Sequence, residues 1–332
     1  MPLRRRKFLH LAASVAALPV FSIIARAQEW PTRPVTMVIP FAAGGAADIV
    51  GRILAVRLSE LLGRQVLVEN VPGAGGMTGT IRVARAAPDG YQFVLGSVGT
   101  HAANQTLYKN PGYNAATDFA PVALIVDQPI VLVTRKDLPA NNLQEFIAYA
   151  RANQAKMQYG TPGVGSSSHL ACMLLNATIG VDVTHIPYRA GATIFGTQDL
   201  IAGRIDYMCP AITAAIPQIE GNQVKAITIL SRDRSLSLPA LASAHEQGLT
   251  GFECGTWIAI FLPKVTPTAI VQKMHFAAVA AMATPSVQAK LQEIGATVVA
   301  PERRSPEYLQ QFVEREIAKW AAAIKAAGIS AD

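Results

Sequence analysis

Two glycine-rich and serine-rich segments hold the residues best suited to chemistry in this chain. Phe41–Asp48 and Thr161–His169 each follow a short apolar run and precede a helical pattern. The first N–H groups of a helix have no partner inside it, and the helix dipole is positive at that end. Each segment should therefore present N–H donors to an anion, and the pair predicts an anion site with two sides.

The first segment combines a flexible turn with an acidic side chain. Gly44 and Gly45 permit a tight turn and let a ligand approach the backbone amides closely. Asp48 suits two roles, because a carboxylate at this position can cap the helix or contact a ligand amine or hydroxyl group. Both roles stay open on the sequence alone.

The second segment offers hydroxyl groups beside bare N–H groups. Ser166, Ser167 and Ser168 suit carboxylate oxygens as hydrogen-bond donors, although they can also simply cap the helix. His169 fits a ligand contact or an ordinary core histidine. We expect at least one of the three serines to contact a ligand.

Other strand ends supply further candidates. Ser97 and Thr100 follow a third strand, where sheet topology places ligands. Arg189 ends a later strand and could bind a carboxylate in bidentate fashion or form a surface salt bridge; Asp206 suits a structural position near a hinge. The candidate ligand-binding residues are Phe41, Ala43, Gly44, Gly45, Asp48, Gly76, Ser97, Thr100, Thr161, Ser166, Ser167, Ser168, His169, Arg189 and Asp206.

The same segments do not match common catalytic motifs. In Gly165–His169 the histidine occupies the position where the G-x-S-x-G nucleophile elbow needs its last glycine. Gly73–Thr78 has threonine at the third glycine of the dinucleotide fingerprint, and no Gly-Lys pair exists for a phosphate-binding P-loop. His169 and Cys172 alone are close in sequence, which gives no metal motif. We therefore assign no catalytic residue, cofactor or metal.

The first 27 residues have the form of an export signal. A basic start is followed by the apolar run Phe8–Ile24 and by Ala25–Ala27, which has the shape of a signal peptidase site. Arg5-Arg6 allows a twin-arginine signal as well as an ordinary secretory one. No cysteine follows the run, so no lipid anchor is expected. The sequence predicts an exported protein cleaved near Ala27, and the family resemblance given below implies the periplasm.

Removal of this segment changes the charge balance. Five of the 29 basic residues and none of the 22 acidic residues lie in it, so the remaining chain has 24 basic residues and a balance of +2. No run of basic residues remains, which excludes a nucleic-acid-binding footprint. Cys172, Cys209 and Cys254 are widely spaced in apolar settings and predict buried thiols rather than a disulfide framework.

The elements that must position the candidates alternate between strands and helices. Strands are expected at 35–40, 65–69 and 91–95, with helices at 48–62 and 77–86 between them. This βα repetition predicts a parallel, doubly wound sheet. A second region has strands at 157–160, 183–187, 206–208 and 225–230 and helices at 143–152, 169–178 and 197–202. The apolar runs 122–133 and 256–262 should cross between the two regions, and helices at 268–283 and 306–327 should return to the first.

Ordered motifs along almost the whole mature chain carry a family resemblance. They are Trp30–Pro31, Val38–Phe41, Gly44–Gly45, Asp48, Val68–Asn70, Pro72–Gly76, Pro88–Tyr91, Tyr159–Thr161, Gly165–Ser166, His169–Leu170, Ile186–Tyr188, Gly203–Asp206, Gly251–Glu253 and Trp257. With these motifs the chain resembles the tripartite tricarboxylate transporter substrate-binding proteins, also called the Bug family.

The resemblance implies a type II periplasmic-binding-protein fold, in which two doubly wound α/β lobes are joined by a crossover hinge. Residues 28–125 would form the first part of lobe 1, 126–254 lobe 2, and 255–332 the C-terminal part of lobe 1. The cleft would bind a small carboxylate through backbone N–H groups and ordered water. The expected partners are that ligand and the membrane permease subunits, with a monomer as the default state. A periplasmic sensor that presents its closed form to a signalling receptor is the alternative.

Two departures from the family pattern bear on the ligand. Residues 189–195 replace a glycine-rich stretch with Arg-Ala-Gly-Ala-Thr-Ile-Phe, and Ala46–Ala47 stand where proline or serine with threonine is common. Both changes make the pocket wall more apolar. We therefore expect a carboxylate with an apolar body, such as an aromatic or medium-chain acid, rather than citrate.

Overall fold

The computed structural model describes residues 30–188 and 192–328 and contains two β-sheets. The predicted signal segment and Arg189 lie outside these residues. The described strands are β1 (Val35–Ile39), β2 (Val66–Asn70), β3 (Gln92–Ser97), β4 (Phe119–Pro129), β5 (Val131–Thr134), β6 (Gln158–Thr161), β7 (Thr184–Pro187), β8 (Tyr207–Met208), β9 (Lys225–Ile229), β10 (Gly255–Pro263) and β11 (Thr297–Val298).

Helices cover the sheets and connect the strands. In the described ranges they are α1 (Ala46–Leu62), α2 (Met77–Ala84), α3 (Asn104–Leu107), α4 (Leu143–Asn153), α5 (Ser167–Ile179), α6 (Ala192–Ile201), α7 (Ile212–Glu220), α8 (Thr268–Ala283), α9 (Pro285–Glu293) and α10 (Pro306–Ala326). A 3₁₀ turn at Ala74–Gly76 precedes α2, and a π-helical turn at Gly99–Ala103 precedes α3. No helix in the described ranges is long and apolar enough to cross a bilayer.

Both sheets are mixed. The strands of the first βα repeats, β1, β2 and β3, are parallel as expected, and the antiparallel strands were not anticipated from the sequence. The first has the strand order β11-β4-β10-β3-β1-β2, and the second β7-β6-β8-β5-β9. Strand β1 is parallel to β2 and β3, but β10 runs antiparallel to both β3 and β4. In the second sheet, β6 is parallel to β7 and β8, whereas β5 is antiparallel to β8 and β9. Strands β4, β5 and β10, which leave or enter a sheet at the crossings, all form antiparallel pairs, and the edge strand β11 is antiparallel to β4.

We name the six-stranded sheet with its helices lobe 1 and the five-stranded sheet with its helices lobe 2. The chain passes from β4 to β5 through the single buried residue Ile130 and returns where Cys254 precedes β10. Both crossings are tied together, because Leu230 N–H donates to Ile130 O at 2.8 Å and Cys254 N–H donates to Leu230 O at 2.8 Å. The expected crossing strands are thus present and adjacent.

The C-terminal helices return to lobe 1 as expected. Helices α8 and α10 pack on β4, and α8 also packs on α1. Helix α6 starts at Ala192, five residues before the expected start. Three of the described helices were not expected from the sequence, namely α3, α7 and α9. Helix α7 contains Pro217, which lacks an N–H and obscures a helical pattern.

The core is continuous through the crossing region. One cluster of buried apolar side chains extends from the first sheet to the α4 and α5 side of the second, and a smaller cluster lies under α6 and α7. All three cysteines are free and buried within or beside these clusters, which confirms the expectation for them.

His101 is a buried titratable group in the core of lobe 1. Its ring stacks on Phe261 at a centroid distance of 3.9 Å, and its Nδ1 lies 3.0 Å from Thr100 Oγ1. Burial lowers the pKa of His101 from 6.5 to about 3. The imidazole is therefore neutral in the folded protein at ordinary pH.

This burial predicts an acid-dependent loss of stability. Below pH 6.5 the unfolded chain binds a proton at His101 that the folded chain does not bind until about pH 3. As the pH is lowered through this window, the free energy of unfolding should decrease by up to about 1.4 kcal/mol per pH unit because of His101. Above pH 7, His101 should make no contribution to the pH dependence.

Urea unfolding of the wild type and His101→Phe at pH 8, 7, 6 and 5 measures the contribution. The variant should show the smaller decrease below pH 6.5 and the same flat dependence between pH 7 and 8. Identical slopes in both proteins would contradict a neutral, buried His101.

Candidate functional site

A cavity lies between the two lobes and receives residues from both. About 660 Å³ of space lies between its walls, a volume that includes open solvent. Its lining residues are Phe41, Ala42, Gly45, Ala46, Ala47, Ser97, Gln128, Pro162, Ser166, Ser167, Ser168, Thr193, Met208, Pro210, Ala211, Ala214, Thr256 and Ile258. None of these described residues carries a charge.

The first side of the cavity is the connection from β1 to α1. Gly45 is the N-cap of α1 and has no side chain to cap the helix, so the N–H groups of Ala46 and Ala47 remain available to a ligand. Gly44 adopts φ 77°, in the left-handed region that favours glycine. This turn directs the start of the helix toward the cavity.

Asp48 holds this connection from behind rather than lining the cavity. It is buried and accepts hydrogen bonds from Gly44 N–H and Arg52 Nε, both at 2.9 Å, and from Asn70 Nδ2 at 3.0 Å. Burial alone would raise the pKa of Asp48, but these hydrogen bonds and the charge of Arg52 outweigh it and hold the pKa below its usual value. The geometry favours the structural role of Asp48 over ligand contact.

The second side is the connection from β6 to α5. Ser166 caps the helix, because its Oγ accepts from His169 N–H at 3.3 Å and donates to Gly163 O at 2.7 Å. The next two residues, Ser167 and Ser168, line the cavity at the first turn of α5. Ser168 is 4% exposed, and its Oγ has no hydrogen-bond partner within the described residues. A buried hydroxyl without a partner points to a ligand.

Two neutral histidines support this connection. Gly165 N–H donates to His169 Nδ1 at 3.3 Å, and Thr161 Oγ1 lies 2.6 Å from His185 Nε2. Burial, together with the neighbouring His185, lowers the pKa of His169 to about 3, and burial lowers that of His185 to about 4. His169 and Thr161 thus position the serines and supply no positive charge.

Ser97 reaches the cavity from the end of β3. Its backbone N–H donates to Thr100 Oγ1 at 3.0 Å, so the fully buried Thr100 fixes the turn that carries Ser97. Gly76 packs behind the same wall, since a Cβ there would lie 2.7 Å from Thr100 Cγ2 and 2.9 Å from Phe41. Thr100 and Gly76 therefore lie behind the cavity surface and are not part of its lining.

The two lobes touch at the rim of the cavity. Tyr108 Oη donates to Val164 O at 2.9 Å. Added Cβ atoms at Gly75 and Gly99 would lie 2.2 Å from Val164 O and 2.3 Å from Gly165 O. Such close backbone approaches across the lobes describe a closed arrangement.

The crossing strands supply polar residues that sequence reasoning missed. Gln128 of β4 and Thr256 of β10 are directly paired across the two strands and line the cavity floor. Both occur next to long apolar runs in the sequence. A buried polar residue at the end of such a run was the available signal for them.

The predicted site residues fall into three groups. Those that line the cavity are Phe41, Gly45, Ser97, Ser166, Ser167 and Ser168. Those next to the lining are Ala43, Gly44, Asp48, Gly76, Thr100, Thr161 and His169. Asp206 is at the opposite end of β6, where it accepts from Arg135 Nε and Gln158 N–H, and Arg189 is outside the described residues.

The cavity can hold an anion with uncharged groups. Helices α1 and α5 begin at its surface from opposite lobes, and hydroxyl groups lie beside their first N–H groups. The described residues contain no group of histidine, cysteine and acidic side chains that could hold a metal ion. The arrangement fits reversible binding of a small carboxylate.

Comparison with known proteins shows the family of this chain. The model of the tripartite tricarboxylate transporter family receptor matches residues 50–329. The chain belongs to this receptor family. Among solved structures, the periplasmic binding protein BugD is 40% identical, with a TM-score of 0.87 over 91% of this chain and 99% of that one.

Two further family structures contain carboxylates. MatC from Rhodopseudomonas palustris with bound malate is 38% identical, with a TM-score of 0.85 over 89% of this chain and 100% of that one. R. palustris Rpa4515 with adipate is 35% identical, with a TM-score of 0.86 over 91% and 99%. These matches confirm the two-lobed periplasmic-binding fold expected from the sequence.

The role of Asp48 in this receptor chain can be tested by stability. Asp48→Ala should lower the free energy of unfolding by about 1–3 kcal/mol, because it removes a buried carboxylate that accepts from Gly44 N–H, Arg52 Nε and Asn70 Nδ2. Glu60→Ala is a matched control on the same helix, since Glu60 forms an exposed ion pair with Arg57 and should change stability by less than about 1 kcal/mol.

Chemical denaturation of the three proteins at pH 7 makes this comparison. Equal losses in the two variants would show that Asp48 is an ordinary surface carboxylate in energetic terms, contrary to its buried hydrogen bonds.

Proposed function

We propose that this chain is a periplasmic solute-binding protein that captures a small carboxylate between its lobes and delivers it to a tripartite tricarboxylate-type membrane transporter. One observation carries the proposal. The first turns of α1 and α5 approach one uncharged cavity from opposite lobes, and the buried Ser168 hydroxyl beside them has no partner among the described residues. Family membership supports the transport role.

The energetics of such a site are sufficient without arginine. A helix N-terminus stabilises an anion by about 0.3–2 kcal/mol, and a hydrogen bond to a charged group contributes about 1.5–3 kcal/mol. The absence of charged lining residues in the described ranges keeps desolvation of the protein small.

We also propose that the lobes are hinged at the β4 and β10 crossings, near Ile130 and Cys254. The single-residue link at Ile130 and the hydrogen bonds around Leu230 support a hinge that keeps both crossings together. The contacts at Tyr108, Gly75 and Gly99 would then form on closure. A closed form presents a surface that an open form lacks, which a membrane partner can recognise.

The ligand body should be apolar. Phe41, Met208 and Ile258 line the cavity, and so do Ala46 and Ala47, where the sequence departs from the family pattern. Malate and adipate in the two related structures show that relatives accept dicarboxylates. For this chain we propose a mono- or dicarboxylate with an aromatic or medium-chain skeleton rather than citrate.

A ligand panel tests this proposal. The mature chain from Gln28 is titrated calorimetrically with citrate, malate, succinate, adipate, hexanoate, benzoate and 3-phenylpropionate. At least one acid with an apolar body should bind, and Ser168→Ala should weaken that binding by about tenfold or more through loss of a charge-assisted hydrogen bond. Thr178→Ala, at the exposed end of the same helix, should bind like the wild type.

The possible results separate the parts of the proposal. Binding of citrate alone would overturn the apolar ligand, and no binding by any carboxylate would overturn the solute-binding function. Uptake of the bound acid by cells with and without this chain then separates delivery from sensing, because only delivery requires uptake to fall when the chain is deleted.

A further inference from the structure

The C-terminal part of lobe 1 holds the two crossing strands from the side away from the cavity. Side chains alternate along a strand, so the paired residues Asp127 and Trp257, next to lining residues, point away from the cavity. Trp257 is 3% exposed, and its Nε1 donates to Glu316 Oε2 of α10 at 3.0 Å. Arg303, just before α10, forms an ion pair with Asp127, and its Nη2 donates to Asp127 Oδ1 at 3.2 Å. One segment of lobe 1 thus anchors both strands.

Aromatic rings join the two anchors into one cluster. Phe312 contacts Trp257 edge to face at a centroid distance of 5.3 Å, and the Arg303 guanidinium lies 5.6 Å from the centre of the Phe312 ring. Glu316 also accepts from Trp320 Nε1 at 3.3 Å, and its side chain is 12% exposed. A largely buried carboxylate with two indole donors has a fixed orientation, since losing either hydrogen bond there is costly.

Lobe 2 holds the same two strands a few residues further on. Ile130 O accepts from Leu230 N–H, and Cys254 N–H donates to Leu230 O, each at 2.8 Å. The stretch between the anchors of the two lobes is therefore only two residues long on each strand. It consists of Gln128–Pro129 on one strand and Gly255–Thr256 on the other.

Two residues of this short stretch are suited to bending. Pro129 and Gly255 lie opposite each other at the end of the pairing between β4 and β10. Proline has no N–H to donate to a strand ladder, and glycine has the widest range of backbone angles. A Cβ on Gly255 would meet only Gln128 O, at 3.5 Å, which is an ordinary contact. Packing therefore does not require glycine here, and backbone freedom is what it adds.

We propose that Arg303 and Glu316 are positioning residues that clamp Asp127 and Trp257 to lobe 1, so that the lobes bend at the pair of Pro129 and Gly255. This inference rests on the proposed function and its hinge, and it adds which residues limit the bending. The clamp touches no ligand. Without it, the bend would spread into β4 and β10, and fewer molecules would reach the closed form in which α1 and α5 face each other.

The wild-type protein without ligand tests where the bend lies. ¹⁵N relaxation dispersion of deuterated protein measures exchange between conformers at single N–H groups. Exchange should occur at the amides of Gln128 and Gly255 and be absent at the amide of Asp127 and at the amide and indole N–H groups of Trp257. Exchange at Trp257 as large as at Gly255, or none at Gly255, would overturn the proposal.

Variants assign the clamp to its residues. Spin labels at Glu60→Cys in lobe 1 and Lys156→Cys in lobe 2, two exposed positions, measure the distance between the lobes, because the three native thiols are buried. Arg303→Met and Glu316→Leu should each broaden the distance distribution of the ligand-free protein. Each should also weaken binding of every acid by one factor, about threefold to tenfold, since less of the protein is in the closed form. Glu316→Gln keeps an acceptor for Trp257 Nε1 and should restore both properties.

The control and the outcomes separate this inference from the proposed function. Arg82→Met is the matched control, because Arg82 forms an exposed two-bond pair with Glu69 elsewhere in lobe 1 and should change neither property. A wild-type distance distribution in both clamp variants, or equal effects in Arg82→Met, would overturn the clamp. Failure of every acid to bind the wild type would overturn the proposed function, and the ligand-free measurements would still decide the clamp. The wild-type relaxation experiment stands even if a clamp variant does not fold.

Discussion

Unpaired N–H groups at the start of a helix must meet an acceptor, and this constraint organises the molecule. The first turns of α1 and α5 approach one cavity from two lobes, with small or hydroxyl side chains around them. No described lining residue is charged, and the one carboxylate in the first turn of α1, Asp48, is paired with Arg52 behind the cavity wall. These features support the proposal that an anion occupies the cavity and is held by both lobes.

The residues behind the cavity wall keep these donors in position. Asp48 ties the turn before α1 to Arg52 and Asn70, and His169 accepts from the backbone of the loop before α5. Asp48 is ionised, because its hydrogen bonds and Arg52 hold its pKa below the usual value. His169 is neutral, because burial and the neighbouring His185 lower its pKa. Glycines at the rim allow the lobes to approach closely. The charged pair of Asp48 and Arg52 thus stabilises the wall of the cavity, and the donors that face the cavity are uncharged.

Local patterns in the sequence predicted the structure of the two strand–turn–helix connections, because a strand, a glycine turn, a cap and a helix are consecutive in the chain. Ser166, Ser167 and Ser168 fall where that pattern places them. Gln128 and Thr256 could not be found in this way, since their proximity depends on pairing between distant strands. The mixed sheets escaped prediction for the same reason. The sequence located Asp48 but did not decide its role, because its hydrogen-bond partner Asn70 lies in β2 and is distant in the chain.

The central claim is that the starts of both helices bind one carboxylate-bearing ligand together. Titration of ¹⁵N-labelled, deuterated protein with the tightest acid from the panel tests it directly, by following the amide resonances of Ala46, Ala47, Ser167 and Ser168. The account predicts that amides of both helices shift together, with one dissociation constant, and that the neutral amide analogue of the acid shifts neither set. Shifts confined to one helix, or equal shifts with the neutral analogue, would contradict it.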